Sequence, residues 1–261
     1  MDWEKYLRAA LEAVKAGHQV LEAHKLQGFE LKADKSPVTE ADKLVEQTIR
    51  EVIIPKFPEC GFVGEEFDSV NPTADLVWYC DPIDGTWSYL NGEKTCALIL
   101  SLFQKGNPKV SAVYNIYTGE LYSTCEGKQA TVNEYPLPRR KVENLALSLV
   151  NFHISSTYSP FIKQLYDWWA EEKFSKLISQ GGSIAYAFAR VAEGIHHVCI
   201  SKGTKNSQMW DLGAGIHLIE SAGGLVTNLQ GGKFYECKKG EVIVASVNPK
   251  VHEEVLALLN G

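Results

Sequence analysis

The stretch TCALILSLFQKGNPKVSAVYNIYTGELYSTCEG, residues 95–127, constrains the fold most. It holds three apolar, β-rich runs parted by KGNP and YTGE, turn-forming clusters too short to carry anything but a tight reversal. Runs joined that closely pair as an antiparallel meander. Upstream, FPECGFVGEE reads as a short strand ending in acids, and DLVWYC as a second strand running into DPIDGT. Beyond Arg139–Lys141 the texture changes. Strand-like LALSLV, FSKLIS, IHHVCIS and EVIVAS alternate with helix-like SPFIKQLYDWWAEEK, SIAYAFARVAEG and DLGAGIHLIESAG, and NPKVHEEVLALLN closes as a helix. A meander followed by alternation predicts a layered α/β (α+β) architecture. It falls into an N-terminal half, 1–140, and a C-terminal half, 141–261, held as one compact unit because the join near 138–143 is too short for independent domains.

Two helices precede the strands. Residues 2–26 carry Trp3, Tyr6, Leu7, Ala10, Leu11, Val14, Val20 and Leu21 at helical spacing, and Thr39 opens a second helix bearing Leu44, Val45, Ile49 and Ile53. The N-terminus lacks the basic start and apolar centre of a signal peptide, and no apolar run approaches the ~20 residues of a membrane span. Six scattered cysteines, without a CxxC pair, read as reduced thiols. With a net charge of −6 and no basic run longer than Arg139, Arg140 and Lys141, nucleic acid is not the expected ligand. The expectation is a soluble cytoplasmic protein.

Chemistry concentrates around WYCDPIDGTWSYLNG. Asp81 and Asp84 flank Pro82 and Ile83, and two acids so close repel each other unless something offsets the charge. Metal binding, acid/base catalysis and simple turn chemistry all use such pairs. Three further features weigh toward metal. Glu65 and Glu66 end the preceding apolar run, Gly85 and Thr86 can open a helix whose N–H groups face an anion, and Asp211 stands at the start of a later helix. Carboxylates with the Ile83 carbonyl make the oxygen-rich set that Mg²⁺ prefers, with no His/Cys grouping to attract a softer ion.

GEE, DPIDGT and WDLGAGIHLIESAGG, in that order and with SPVTEAD and GGSIAYAFARVAEG beside them, resemble the inositol monophosphatase family of metal-dependent, lithium-sensitive phosphatases. The resemblance runs over nearly the whole chain. It implies an alternating α-β-α-β-α sandwich of the sugar phosphatase type, a homodimer, and two to three Mg²⁺ ions with Mn²⁺ as a substitute. It implies that Glu65 binds the first metal and orients water, that Asp81 bridges two metals, and that Ile83 gives its carbonyl to the first. Asp84 and Asp211 would complete the second metal's ligands. Gly85 and Thr86 would cradle phosphate, with Thr86 and Glu65 activating water supported by Asp42. The reaction implied is in-line attack by metal-bound water on a small phosphorylated metabolite.

The substrate is less determined. Ser183 lies where the family's helix N-terminus meets substrate, though a plain helix cap explains it as well. Thr204 stands at the distance from Asp211 where inositol-specific members carry an acid, flanked by Lys202 and Lys205. Lys205 could meet a second anion or be an exposed surface lysine. TWSYLNG replaces the family's more usual TTNFVHG, which alters the inner rim. Asp84, Gly85, Thr86, Ser183, Thr204, Lys205 and Asp211 are therefore the substrate-facing candidates. Inositol monophosphate is the default substrate. Fructose 1,6-bisphosphate, histidinol phosphate and 3′-phosphoadenosine 5′-phosphate are rivals, as is a regulatory partner role with secondary catalysis. His196 and His197 read as packed or exposed strand residues, His217 as a hydrogen-bonded core histidine, and Asp42 as the acid a solvated first helical turn would equally explain.

Overall fold

A computed structural model of the chain describes residues 1–24, 28–33, 36–138, 142–153, 160–202, 208–233 and 241–261. Helix α1 (Trp3–Ala23) starts at Asp2, whose side chain accepts from Lys5 N, and buries a stripe through Tyr6, Ala10, Ala13, Val14 and Leu21. It is shorter than the expected 2–26, ending at His24, and residues 25–27 lie outside the described ones. Strands β1 (Glu30–Leu31) and β2 (Pro37–Val38) form a small hairpin, and α2 (Glu40–Ile53) follows Thr39. Next come β3 (Gly61–Gly64), β4 (Leu76–Asp84), the short helix α3 (Thr86–Leu90), β5 (Ala97–Gln104), β6 (Asn107–Asn115) and β7 (Leu121–Cys125). The two-residue strands β8 (Thr131–Val132) and β9 (Tyr135–Pro136) complete a seven-stranded sheet in the order β3-β4-β5-β6-β7-β8-β9. All its pairings are antiparallel except β3 with β4, so the meander is present as expected.

The second half contains β10 (Leu149–His153), α4 (Pro160–Ala170), β11 (Lys176–Ser179), α5 (Ile184–Ala192), β12 (Val198–Lys202), α6 (Met209–Ser221), β13 (Leu225–Asn228), β14 (Val242–Ser246) and α7 (Pro249–Asn260). Its five-stranded sheet has the order β11-β10-β12-β14-β13, with β10 parallel to both neighbours. LALSLV divides into a 3₁₀ turn, Leu145–Leu147, and the start of β10. β13 has no counterpart in the sequence alternation, because LVTN is too short and too mixed to show a period.

Alternation along the strands creates the layers. In β5, Leu98, Leu100 and Leu102 join a core under α1 and α2, while Ala97 and Ile99 face α5 and α6 on the other side. The reverse face of the five-stranded sheet packs Val150, Phe152, Val198 and Val244 with Leu165 of α4 and Val251 and Val255 of α7. The order is helix, sheet, helix, sheet, helix. Fully burying each of the valine, leucine, isoleucine and phenylalanine side chains among these contributes roughly 1.5–3 kcal/mol before chain entropy is set against it. The five described cysteines, Cys60, Cys80, Cys96, Cys125 and Cys199, are buried free thiols, and Cys237 lies outside the described residues. No described helix is long and apolar enough to cross a membrane.

Candidate metal and phosphate site

Strand geometry alone would put Asp81 and Asp84 on opposite faces, since successive side chains alternate and the two are three apart. The sheet corrects this. Asp81 pairs with Ile99 and Asp84 with Ala97, so three steps on β4 oppose two on β5, a bulge that returns both acids to one side. Pro82, which has no N–H to offer a ladder, occupies the bulge. β4 therefore extends through DPID instead of ending at Cys80, as the sequence led us to expect.

Asp211 reaches the same place from α6. One carboxylate oxygen from each of Asp81, Asp84 and Asp211 lies within 4.8 Å of the others. Asp81 is 2% exposed, and its Oδ1 accepts from Ile83 N at 2.9 Å. Asp211 is the third residue of its helix, and its Oδ2 accepts from Gln208 N at 2.5 Å. Asp84 is fixed from the far side: Oδ2 accepts from Ser183 Oγ at 2.6 Å and from Ala185 N at 3.3 Å, at the positive end of α5. Burial is the largest cause raising all three acids, pushing Asp84 to about 7 against the help of those donors. The charges of Glu65, Asp84 and Asp211 add to the rise at Asp81, whose carboxyl hydrogen-bonds that of Asp211. Three acids held together against their own repulsion form a hard-oxygen donor set that fits a divalent cation such as Mg²⁺.

Glu65 stands apart from that trio. Lys32 Nζ donates to Glu65 Oε1 at 2.8 Å and to Glu66 Oε1 at 2.7 Å, bridging both acids of GEE. Burial works against the lysine's charge, and the two carboxylates more than compensate, holding its pKa above the usual range. Burial likewise pushes Glu66 up to about 7. Behind them Glu46, fully buried, binds Arg50 Nε at 2.8 Å and accepts from Glu66 N at 2.7 Å. Lys32, Glu46 and Arg50 were not among the sequence candidates. The i, i+4 spacing of Glu46 and Arg50 is a signal that could have shown that pair, while nothing in the sequence marks Lys32.

Asp42 is not the solvated acid that the alternative reading allows. It is 1% exposed, and Oδ2 accepts from Thr39 N at 2.7 Å and Thr39 Oγ1 at 2.5 Å in a capping box. Burial raises it to about 6. Thr86 turns elsewhere: its Oγ1 donates to Ile83 O at 3.1 Å. Gly85 has φ +86°, and a Cβ there would lie 2.8 Å from Ser183 N. Gly182, at φ +85°, is equally closed by Thr95 O. These glycines let the turn after DPID press directly against the entrance to α5.

Ser183 is both cap and contact: its Oγ accepts from Tyr186 N at 2.9 Å while donating to Asp84. Thr204 and Lys205 lie outside the described residues, and Lys202 ends β12. His196 and His197 precede that strand, and His197 Nδ1 accepts from Leu149 N. His217 is buried and bonded to Ser111 Oγ through Nδ1 at 2.9 Å, a core histidine as expected. Trp87, 51% exposed, meets Phe29 edge-on at 5.4 Å, placing two aromatics at the rim.

Known proteins resemble this chain in sequence and in fold. A fructose-1,6-bisphosphatase/inositol-1-monophosphatase of Aquifex aeolicus is 33% identical over 230 residues, covering 86% of each chain. A histidinol-phosphatase of Chlorobaculum parvum is 31% identical over 260 residues, covering 98% of this chain and 97% of its own. The solved structure of an IMPase/NADP phosphatase complexed with Mg²⁺ and phosphate superposes with a TM-score of 0.85 at 23% identity, covering 100% of this chain and 97% of that one. The profile of the inositol monophosphatase family matches residues 2–260, and the chain belongs to that family of phosphatases.

Proposed function

We propose that this protein hydrolyses a small phosphate monoester with the aid of Mg²⁺, with inositol 1-phosphate as the leading substrate. The observation that carries the reading is the convergence of Asp81, Asp84 and Asp211, from β4 and α6, on one 4.8 Å group beside the N-terminus of α5. Asp81, Asp84, Asp211 and the Ile83 carbonyl would hold the cations, with Glu65 joining once released from Lys32. When bound, the cations lower the pKa of water and offset charge on the phosphate and the departing alkoxide.

The chain's own groups do the positioning. Ser183 and the Ala185 N–H hold Oδ2 of Asp84 against the start of α5. The first bond of α3 runs from Tyr89 N to Gly85 O, so the N–H groups of Thr86, Trp87 and Ser88 have no acceptor within the helix. Thr86 N–H and the Gly85 turn are the elements we assign to phosphate oxygens. Glu65 and Thr86 are assigned to orient the attacking water, with Asp42 behind them. Ser183, Thr204 and Lys205 are assigned to the leaving group's side.

A second substrate reading has specific support: relatives of comparable identity are named for fructose 1,6-bisphosphate and histidinol phosphate. Phosphate release should be measured with Mg²⁺ across inositol 1-phosphate, fructose 1,6-bisphosphate, histidinol phosphate and 3′-phosphoadenosine 5′-phosphate. One substrate far ahead names the activity. No Mg²⁺-dependent release from any of them overturns the reading and favours a regulatory partner role.

A further inference from the structure

Asp42, Glu46 and Arg50 stand four residues apart along α2, so the helix turns all three inward on one broad face. Asp42 serves the cap of the helix. Glu46 and Arg50 form a buried ion pair, in which Arg50 Nε donates to Glu46 Oε1 at 2.8 Å. The pair faces the end of β3, where the ladder to β4 closes with Gly64 opposite Cys80 and Glu65 follows at once.

The pair grips the chain on both sides of Glu65. The Glu46 carboxylate lies so close to Gly64 that a Cβ there would meet Oε1 at 2.1 Å. Its Oε2 accepts from Glu66 N at 2.7 Å. Arg50 Nη2 donates to Phe67 O at 3.2 Å, and the guanidinium carbon lies 4.7 Å from the centre of the Phe62 ring and 5.7 Å from that of Phe67. Glu65 is thus bracketed by Gly64 before it and by Glu66 and Phe67 after it, all meeting one ion pair. Such a pair is a poor source of stability, since taking two charges out of water costs about as much as their attraction returns. Its directed bonds supply geometry instead. Lys32 holds the Glu65 and Glu66 side chains from the β1–β2 hairpin, but a cation at Glu65 would displace that lysine. The grip on the main chain is what stays.

We propose that Glu46 and Arg50 are positioning residues for the first cation: the pair sets the main chain at Glu66 and Phe67 so that the Glu65 carboxylate is presented in one place when the metal arrives. The proposal rests on the phosphatase reading above and deepens it. The effect is carried by Glu65, in the way that outer partners of a metal site act through the ligand they orient. Loss of the pair therefore weakens Mg²⁺ binding, and does so only while Glu65 is there to be placed.

The test is a cycle of Mg²⁺ affinities measured by calorimetry on the metal-free protein. Glu46→Leu/Arg50→Met replaces the pair with apolar side chains of similar volume, an exchange that buried pairs often tolerate without loss of stability. It is expected to weaken Mg²⁺ binding about tenfold or more. Glu65→Gln should weaken binding in wild type and add less than about twofold in the double variant, where Glu65 is no longer placed. Losses that multiply independently, an unchanged affinity in the folded double variant, or an undiminished affinity in Glu65→Gln each overturn the proposal. If the double variant does not fold, Arg50→Lys decides, because it keeps a cation opposite Glu46 and gives up the bond to Phe67 O. A several-fold loss of Mg²⁺ affinity that vanishes on the Glu65→Gln background supports the proposal, and an unchanged affinity overturns it. Wild type that binds no Mg²⁺ and releases no phosphate from inositol 1-phosphate fails the phosphatase reading and the proposal together. Mg²⁺ binding that is indifferent to the pair fails the proposal alone.

Discussion

Ser183 Oγ donates to Asp84 Oδ2 across 2.6 Å and accepts from Tyr186 N at 2.9 Å, so one hydroxyl caps α5 and aligns a carboxylate 99 residues away. Ser183→Ala removes both bonds. Loss of a cap and of a bond to a charged acceptor should cost about 1–2 kcal/mol. The Mg²⁺ concentration for half-maximal activity should rise at the same time. Chemical denaturation and Mg²⁺ titration check the two effects separately. A stability loss with an unchanged Mg²⁺ requirement would limit Ser183 to capping.

Asp84→Asn should abolish Mg²⁺-dependent turnover while the fold survives, since ligand charge is lost at nearly constant volume. Its stability has the opposite sign without metal. The folded Asp84 titrates near 7, above its ordinary 3.8, so the native state binds the extra proton between those values. Wild-type stability from this group is therefore full below about 4 and is lost as pH rises through about 7. In Mg²⁺-free buffer the melting temperature of Asp84→Asn relative to wild type should climb between pH 5 and 8. A flat difference would show that Asp84 titrates normally.

Histidines set the acid limit. Burial lowers both His196 and His217 to about 4, so between that value and the ordinary 6.5 the unfolded chain binds more protons than the native one. Stability contributed by these rings is complete above 6.5 and is lost as pH falls toward 4. His217→Gln should soften the acid side of the profile, measured by urea unfolding between pH 4 and 7.

Gly64 gives Glu46 its room: a Cβ there would lie 2.1 Å from Glu46 Oε1. Gly64→Ala should strain the Glu46–Arg50 pair and the Glu66 N–H bond together. Breaking such a buried pair costs about 3–5 kcal/mol. Denaturant unfolding should report a loss approaching that range, and a loss below about 1 kcal/mol would mean that the strand gives way instead.

Lys32→Ala should loosen the segment that carries Phe29, because the lysine is its tie to Glu65 and Glu66. Faster amide exchange over residues 28–33 and a red shift in Trp87 emission are the expected readouts, the latter by comparison with Trp87→Phe.

Much of this site is legible because its chemistry is local in sequence. DPIDGT carries two of the three clustered acids and the turn that holds them within six residues, and the apolar period of α2 and of the meander needs no distant partner to be read. What escapes the sequence is long-range. Asp81 and Asp84 share a side only through a register shift set by β5. Lys32 carries no local mark of the acids 33 and 34 residues on. His153 looks like any strand end until Gly182 appears beside it. Asp42 differs from a solvated helix acid only by the packing that buries it.

Gly85 and Gly182 meet where neither admits a side chain. Mutational drift is closed at that seam, since an added methyl at either position meets main chain, which cannot swing aside. Novelty in what the enzyme accepts must therefore come from the surrounding rim, where Phe29 and Trp87 are free to vary. The seam behaves as a fixed hinge pin around which a new substrate preference can be tried without resetting the chemistry.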